Sequence, residues 1–295
     1  MATLTIFANF YINDEERFLR MKDSFLSFKD IEAEKWVINV RGKYKFDTLF
    51  FLHDNLGDKL IPYMLESEKG WFSDTRLMLG DINTDFVFFW IEDHLNLVDT
   101  KKYEEILKEM KDACSEYLCY SWWNSGKLIE PYSALQKREY KNISTFLLDK
   151  ESLKETDIEK TYIISMAGIF LISLFNKIIK IGPPILRGYS KYCPFDFEKG
   201  GGDTSWLPIH YAIPKYELFA SIDDGGEGYS LQSRGLYPKR ALRPVAPLAE
   251  VPYLKFFFRT KIREYIPKFI YKKLIMIVIF YNKLSHHINL MLKGL

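Results

Sequence analysis

Asp85-Phe86-Val87-Phe88-Phe89-Trp90-Ile91-Glu92-Asp93-His94 is the stretch that decides how this chain reads. The run from Phe86 to Ile91 is wholly apolar and rich in aromatic side chains. Such a short run, with β-branched residues among the aromatics, predicts a strand buried on both faces. It ends abruptly in two carboxylates and an imidazole. Side chains at the C-terminal edge of a buried strand stand where open α/β sheets bind ligands. Carboxylate oxygens are hard ligands suited to Mg²⁺ or Mn²⁺, and Mg²⁺ is commonly shared with substrate phosphates. The segment therefore predicts a metal–diphosphate site at the end of a sheet.

Working outward, the flanking sequence alternates strand and helix. Leu4–Ala8 predicts a strand. Asn13 then reads as a helix N-cap, with Glu16 completing a capping box. Phe18, Met21, Phe25 and Phe28 follow at spacings of three and four, which gives one apolar helix face. Trp36–Val40 predicts a second strand ending at Arg41-Gly42, and Leu49–Leu52 a short third. A helix is expected over Trp71–Ile82, just ahead of the 86–91 strand. This alternation predicts an α/β fold with a mixed, mostly parallel central sheet flanked by helices.

After His94 the pattern loosens. Tyr103, Ile106, Leu107 and Met110 mark an amphipathic helix, and Glu116–Trp123 and Thr145–Leu148 read as strands. Tyr162–Phe175 is nearly all apolar, yet at 14 residues it falls short of the ~18–20 needed to span a bilayer. It reads as buried core, closed by Gly182-Pro183-Pro184. Gly200-Gly201-Gly202-Asp203 precedes an expected short helix that Pro208 limits. Tyr216–Ala220 reads as a last strand, entering Asp223-Asp224.

The chain has 295 residues, 47% hydrophobic and 16% aromatic, enough for a large core. Its net charge of +2 conceals an asymmetry. Residues 251–295 hold nine Lys/Arg and one acid, whereas the remaining 250 residues carry 32 bases and 38 acids. A slightly acidic body excludes a nucleic-acid-binding role for it. The basic tail interleaves Phe256-Phe257-Phe258, Ile262, Tyr265 and Phe269 with Arg and Lys, a pattern suited to an anionic membrane surface. Three cysteines without metal spacing fit a reducing compartment. No signal-peptide pattern opens the chain, so the expected location is cytoplasmic, peripheral on the inner face of a membrane. Residues 1–237 read as the catalytic domain (a nucleotide half to about 95, an acceptor half after it), 238–252 as a Pro-rich linker, and 253–295 as a helical appendage.

This order resembles the GT-A glycosyltransferases, in particular the broad family 2 type. The residues that carry the resemblance are the strand entering Asn9-Phe10-Tyr11-Ile12-Asn13-Asp14-Glu15, the helix–strand unit ending in Glu92-Asp93, and Asp196-Phe197-Glu198-Lys199-Gly200-Gly201-Gly202-Asp203 downstream. The motif here is Glu92-Asp93-His94 where the family usually shows Asp-x-Asp. The resemblance implies transfer of a sugar from a nucleotide diphosphate sugar to a glycan or lipid-linked acceptor in cell-surface polysaccharide or glycolipid synthesis. Leaving diphosphate would be neutralised by Mg²⁺ or Mn²⁺, with Asp93 and His94 as candidate metal residues and Glu92 beside them. A carboxylate base would deprotonate the acceptor hydroxyl. Asp203 is the first candidate, ahead of Glu198, with Asp196 also open; such a base implies inversion. Asn9, Tyr11 and Arg41 are candidate nucleotide contacts, Tyr11 by stacking and Arg41 by its donors. Two other readings fit the same features: a nucleotidyltransferase acting on a sugar phosphate, and a non-catalytic membrane-surface protein.

Overall fold

The computed structural model describes residues 2–67, 70–119, 132, 135–155, 164–165, 167–181, 206–223 and 230–237. The chain divides between Lys239 and Arg240, and every described residue belongs to the first unit. The basic tail and the linker lie outside the described residues.

Leu4–Tyr11 (β1) leads into Glu15–Phe28 (α1), Lys35–Arg41 (β2), Lys45–Leu56 (α2), Leu60–Tyr63 (β3), Trp71–Met78 (α3) and Phe86–Phe89 (β4). There follow His94–Asn96 (β5), Lys101–Asp112 (α4), Tyr117–Leu118 (β6), Arg138–Glu139 (β7), Ile143–Leu148 (β8), Ser152–Glu155 (α5), Gly168–Leu171 (β9), Ile172–Ile181 (α6), Ile209–Pro214 (β10) and Phe219–Ser221 (β11). Nine strands form one sheet in the order β3-β2-β1-β4-β9-β6-β10-β8-β7, and β11 pairs with β5 in a second. Following the pairings across the large sheet, only β9 and β8 run against the other seven strands. The fold is thus α/β with a mostly parallel central sheet flanked by helices, as the sequence leads one to expect.

The four strands β3-β2-β1-β4 are all parallel. The chain moves outward from β1 through β2 to β3, then returns to the other side of β1 as β4. That reversal makes the carboxyl ends of β1 and β4 a topological switch point, where open sheets form a ligand crevice.

Several local expectations are corrected. Asp14, not Asn13, caps α1: its Oδ1 accepts the Arg17 N–H at 2.8 Å. Leu49–Leu52 lies in helix α2, not in a strand. A strand there would turn Phe50 and Leu52 to one face, but Phe50 is 68% exposed and Leu52 is fully buried. The third strand lies eight residues beyond at β3, and Pro62 is tolerated there because β3 is a sheet edge. The apolar stretch before residue 182 divides into β9 and α6. The short helix expected after Asp203 begins on residues that lie outside the described ones. From Trp206 the chain runs directly into β10, a nearly all-apolar strand in which only His210 is exposed.

The core beneath the switch point is aromatic. Trp90 meets Phe10 edge-on at 4.8 Å and Trp36 at 5.3 Å, with Phe25 at 6.1 Å. Edge-to-face geometry sets the positive ring edge against a negative face. The buried Trp90 indole N–H needs an acceptor and finds Ser24 Oγ at 2.8 Å. Trp71 packs against Phe7, Phe72 and Phe89 and donates its own N–H to the Asn9 carbonyl. The strands that carry the site therefore rest on interlocked rings with their polar edges satisfied.

Candidate functional site

Tyr11 ends β1, Arg41 ends β2 directly opposite it in register, and Glu92-Asp93-His94 follows β4. Neighbouring strands lie ~4.8 Å apart, so Arg41 and the acidic loop are separated by two strand spacings, roughly 10 Å. The order β2-β1-β4 thus lines up a guanidinium, an aromatic ring and a carboxylate loop along one sheet edge.

The acidic loop is held from three sides. Asp93 Oδ1 lies 2.8 Å from His94 Nδ1. Glu92 Oε1 lies 3.5 Å from Arg17 Nη1, and Arg17 also donates to the Tyr11 carbonyl at 2.8 Å. Ser24 Oγ on α1 donates to the His94 carbonyl while accepting from Trp90. From the far end of the domain, Ile222 N–H donates to the Asp93 carbonyl at 2.7 Å, and Ser221 pairs with His94 in the small sheet. Asp223, next in sequence, pairs with the buried Arg20, which also bonds Glu16 at 2.8 Å. The Glu92 side chain is only 13% exposed. Burial, reinforced by the Asp93 charge and opposed by Arg17, pushes its carboxyl up to about 7.

Among the described residues no group of three or more His, Cys, Asp or Glu is arranged to hold a metal ion. His94 directs its Nδ1 to Asp93, so it orients that carboxylate. The end of β4 thus presents the carboxylates of Glu92 and Asp93 beside that imidazole. That donor set fits Mg²⁺ or Mn²⁺ shared with substrate phosphates, since Mg²⁺ is usually held by one or two carboxylates plus phosphate oxygens.

The other end is built differently. Arg41 stands above the Tyr11 ring at 5.8 Å, and Tyr11 is 44% exposed. Burial lowers the Arg41 guanidinium from its usual value, against the opposing pull of Asp74, Glu66 and Glu92. Its Nε is buried with no hydrogen-bond partner among the described residues. Such an unpaired donor costs about 1–3 kcal/mol, which an incoming acceptor would recover. The turn after Arg41 requires glycine: Gly42 has φ +92°, and a Cβ there would meet the Ile12 carbonyl oxygen at 2.6 Å. This close approach fixes the direction of Arg41.

Asn9 has a supporting place. It is 7% exposed; its Oδ1 accepts from Asn39 at 2.9 Å and its Nδ2 donates to Thr75 at 3.1 Å. Asn39 in turn grips both backbone groups of Leu65, accepting its N–H at 2.6 Å and donating to its carbonyl at 2.9 Å. Asn9 therefore braces, through Asn39, the loop at Leu65. The base candidates Asp203, Glu198 and Asp196 lie outside the described residues. Residues that local pattern did not reveal are Arg17, Arg20, Ser24 and Asn39. Arg17 and Arg20 face the site region one helical turn apart, a spacing visible in sequence, but nothing local marks their partners.

No protein-family model matches the chain, and no curated protein matches it. Among solved structures it is similar to S. aureus TarS 1-349 in complex with UDP-GlcNAc, with TM-score 0.48, 14% identity, and coverage of 77% of this chain and 60% of that one. The 4-diphosphocytidyl-2C-methyl-D-erythritol synthase of Anaerococcus prevotii gives TM-score 0.38 and 8% identity over 76% of this chain and 92% of that one. HddC from Yersinia pseudotuberculosis gives 0.39 and 11% over 76% and 95%. The chain spans between 36% and 60% of the TarS chains it matches.

Proposed function

We propose that the chain is a GT-A-type glycosyltransferase using a nucleotide diphosphate sugar. One observation carries this reading: an aromatic–guanidinium pair and a carboxylate loop share the switch-point edge, two strand spacings apart. A nucleoside diphosphate has a planar base and an anionic diphosphate separated by a comparable reach. Tyr11 and Arg41 take the nucleoside end. Asp93, oriented by His94, and Glu92 take the diphosphate end. A divalent cation bound there would supply a Lewis acid for the departing diphosphate. Arg17 bridges the two ends through the Tyr11 carbonyl and Glu92.

Asp203 or Glu198 would act as base on a glycan or lipid-linked acceptor, giving inversion, and the basic tail would hold the chain at the cytoplasmic face of a membrane, in polysaccharide or glycolipid synthesis. Among the described residues no helix is long and apolar enough to cross a membrane. Release of nucleoside diphosphate from a panel of nucleotide sugars, with Mg²⁺ or Mn²⁺, tests the activity. The expected result is turnover that Asp93→Asn abolishes. Tight binding of nucleoside triphosphates without binding of diphosphates would overturn the reading in favour of nucleotidyl transfer.

A further inference from the structure

Arg17 breaks a local rule of its own helix. It is the third residue of α1, where the positive end of the helix dipole disfavours a cation. Its neighbours Asp14, Glu15 and Glu16 obey the rule. Exceptions of this kind collect at functional sites, and the place of this side chain in the fold fits such a role. Its Nη1 donates to the Tyr11 carbonyl at 2.8 Å, at the end of β1, and lies 3.5 Å from Glu92 Oε1, just past β4. The guanidinium thus spans the switch-point crevice between those two strands. Both contacts fall on one of its three nitrogens. Nε and Nη2 have no partner among the described residues, and neither is a buried unpaired atom. With the side chain 26% exposed, these two nitrogens face solvent.

A guanidinium carries its N–H donors in a rigid planar fork that matches phosphate oxygens in pairs. The hydrogens of Nε and Nη2 point to the same side, so one anion takes both at once. A diphosphate beside Glu92 and Asp93 needs positive charge there, because like charges repel at close range. Arg20 is buried and is spent on Glu16 and Asp223. Arg41 ends β2, on the far side of β1 from the acidic loop. Arg17 is the guanidinium that stands at the acidic end with donors to spare. Resting on the nucleotide reading above, we infer that Arg17 binds the donor's diphosphate directly: Nε and Nη2 grip its oxygens, Glu92 and the Tyr11 carbonyl hold Nη1, and the diphosphate enters without a divalent cation. Asp93 is then left for the cation, and Glu92 serves the diphosphate through Arg17.

Isothermal titration of the full chain in EDTA tests this, with UDP, GDP, ADP and CDP in turn and the nucleoside of the tightest binder measured by competition. The wild-type chain should bind a diphosphate without metal. Arg17→Ala should weaken that binding at least about tenfold, the scale of hydrogen bonds to charged groups, and change nucleoside affinity by less than about threefold. Arg17→Lys keeps the charge without the fork and should fall between the two; it decides the matter if Arg17→Ala does not fold. Equal weakening of diphosphate and nucleoside makes Arg17 a brace for Tyr11 and overturns the inference. So does diphosphate affinity unchanged in the folded variants, or wild-type binding that needs Mg²⁺; in each of these outcomes the nucleotide reading stands. No binding by any of the four to a normally folded chain, with or without Mg²⁺, overturns the nucleotide reading and this inference together.

Discussion

The two ends of the site differ in how far the protein itself completes them. At the end of β4 each acid has an internal partner: Asp93 has His94, Glu92 has Arg17, and Asp223 nearby has Arg20. At the ends of β1 and β2 stand a half-exposed ring and a guanidinium whose buried Nε has no partner among the described residues. The first end keeps its shape from the fold. Under the proposed function, the second would be completed by what binds. One consequence is that damage to the acidic loop should affect stability and turnover separately, whereas damage at Tyr11 or Arg41 should affect recognition with little change in folding.

The sharpest break in that comparison is Asp93→Asn. The substituted amide retains an oxygen to accept from His94, so melting should move little. Turnover of a nucleotide sugar should nevertheless fall by more than the roughly 10–100-fold typical of outer-shell groups at metal sites; full activity would remove Asp93 from the diphosphate end. Next in size, Ser24→Ala removes the buried acceptor of the Trp90 N–H and the hydroxyl that donates to the His94 carbonyl. A loss of about 1–3 kcal/mol in chemical denaturation is expected, with nucleoside monophosphate affinity changed by less than about threefold. Equal losses in both would erase the distinction between the two ends. Tyr11→Ala should weaken nucleotide binding by about 1–2 kcal/mol, the scale of base stacking, while thermal unfolding stays within about 0.5 kcal/mol of the parent. A large fall in melting temperature would make Tyr11 a structural residue instead.

The smallest effect concerns pH. Glu92 holds its proton more tightly in the folded state, at about 7 against an ordinary 4.5. Its contribution to stability is complete below about pH 4.5 and is lost as pH rises through about 7. The Arg17 charge, 3.5 Å away, opposes this rise and so limits the loss. Melting curves from pH 4.5 to 8 should show this decline, and Glu92→Gln should flatten it. A slope unchanged in the variant would assign the titration to another group.

The parallel half of the sheet was legible because its signals are local. β4 is a continuous apolar run, β1 and β2 are mostly apolar, and α4 buries Tyr103, Ile106, Leu107 and Met110 at helical spacing as expected. The short run at Leu49–Leu52 misled because four apolar residues fit either period; the exposed Phe50 resolves it only in three dimensions. Carboxylates after a buried strand were a local signal too. What fixes them was not, since Ser24 meets His94 across 70 residues of sequence and Arg20 meets Asp223 across 203. Nor does any pattern in residues 9 or 39 announce that two asparagines will bond each other on adjacent strands.

The small sheet of β5 and β11 has a consequence for the timing of biogenesis. The loop at 92–94 leaves the ribosome about 125 residues before Phe219–Ser221, the strand that pairs with it. At about 5–20 residues per second, that gap is roughly 6–25 s. During it β3, β2, β1 and β4 already have one another, but the acidic loop lacks its second strand and the Ile222 amide. A chain arrested short of Phe219 would therefore hold the four parallel strands with the loop at 92–94 still unpaired by β11.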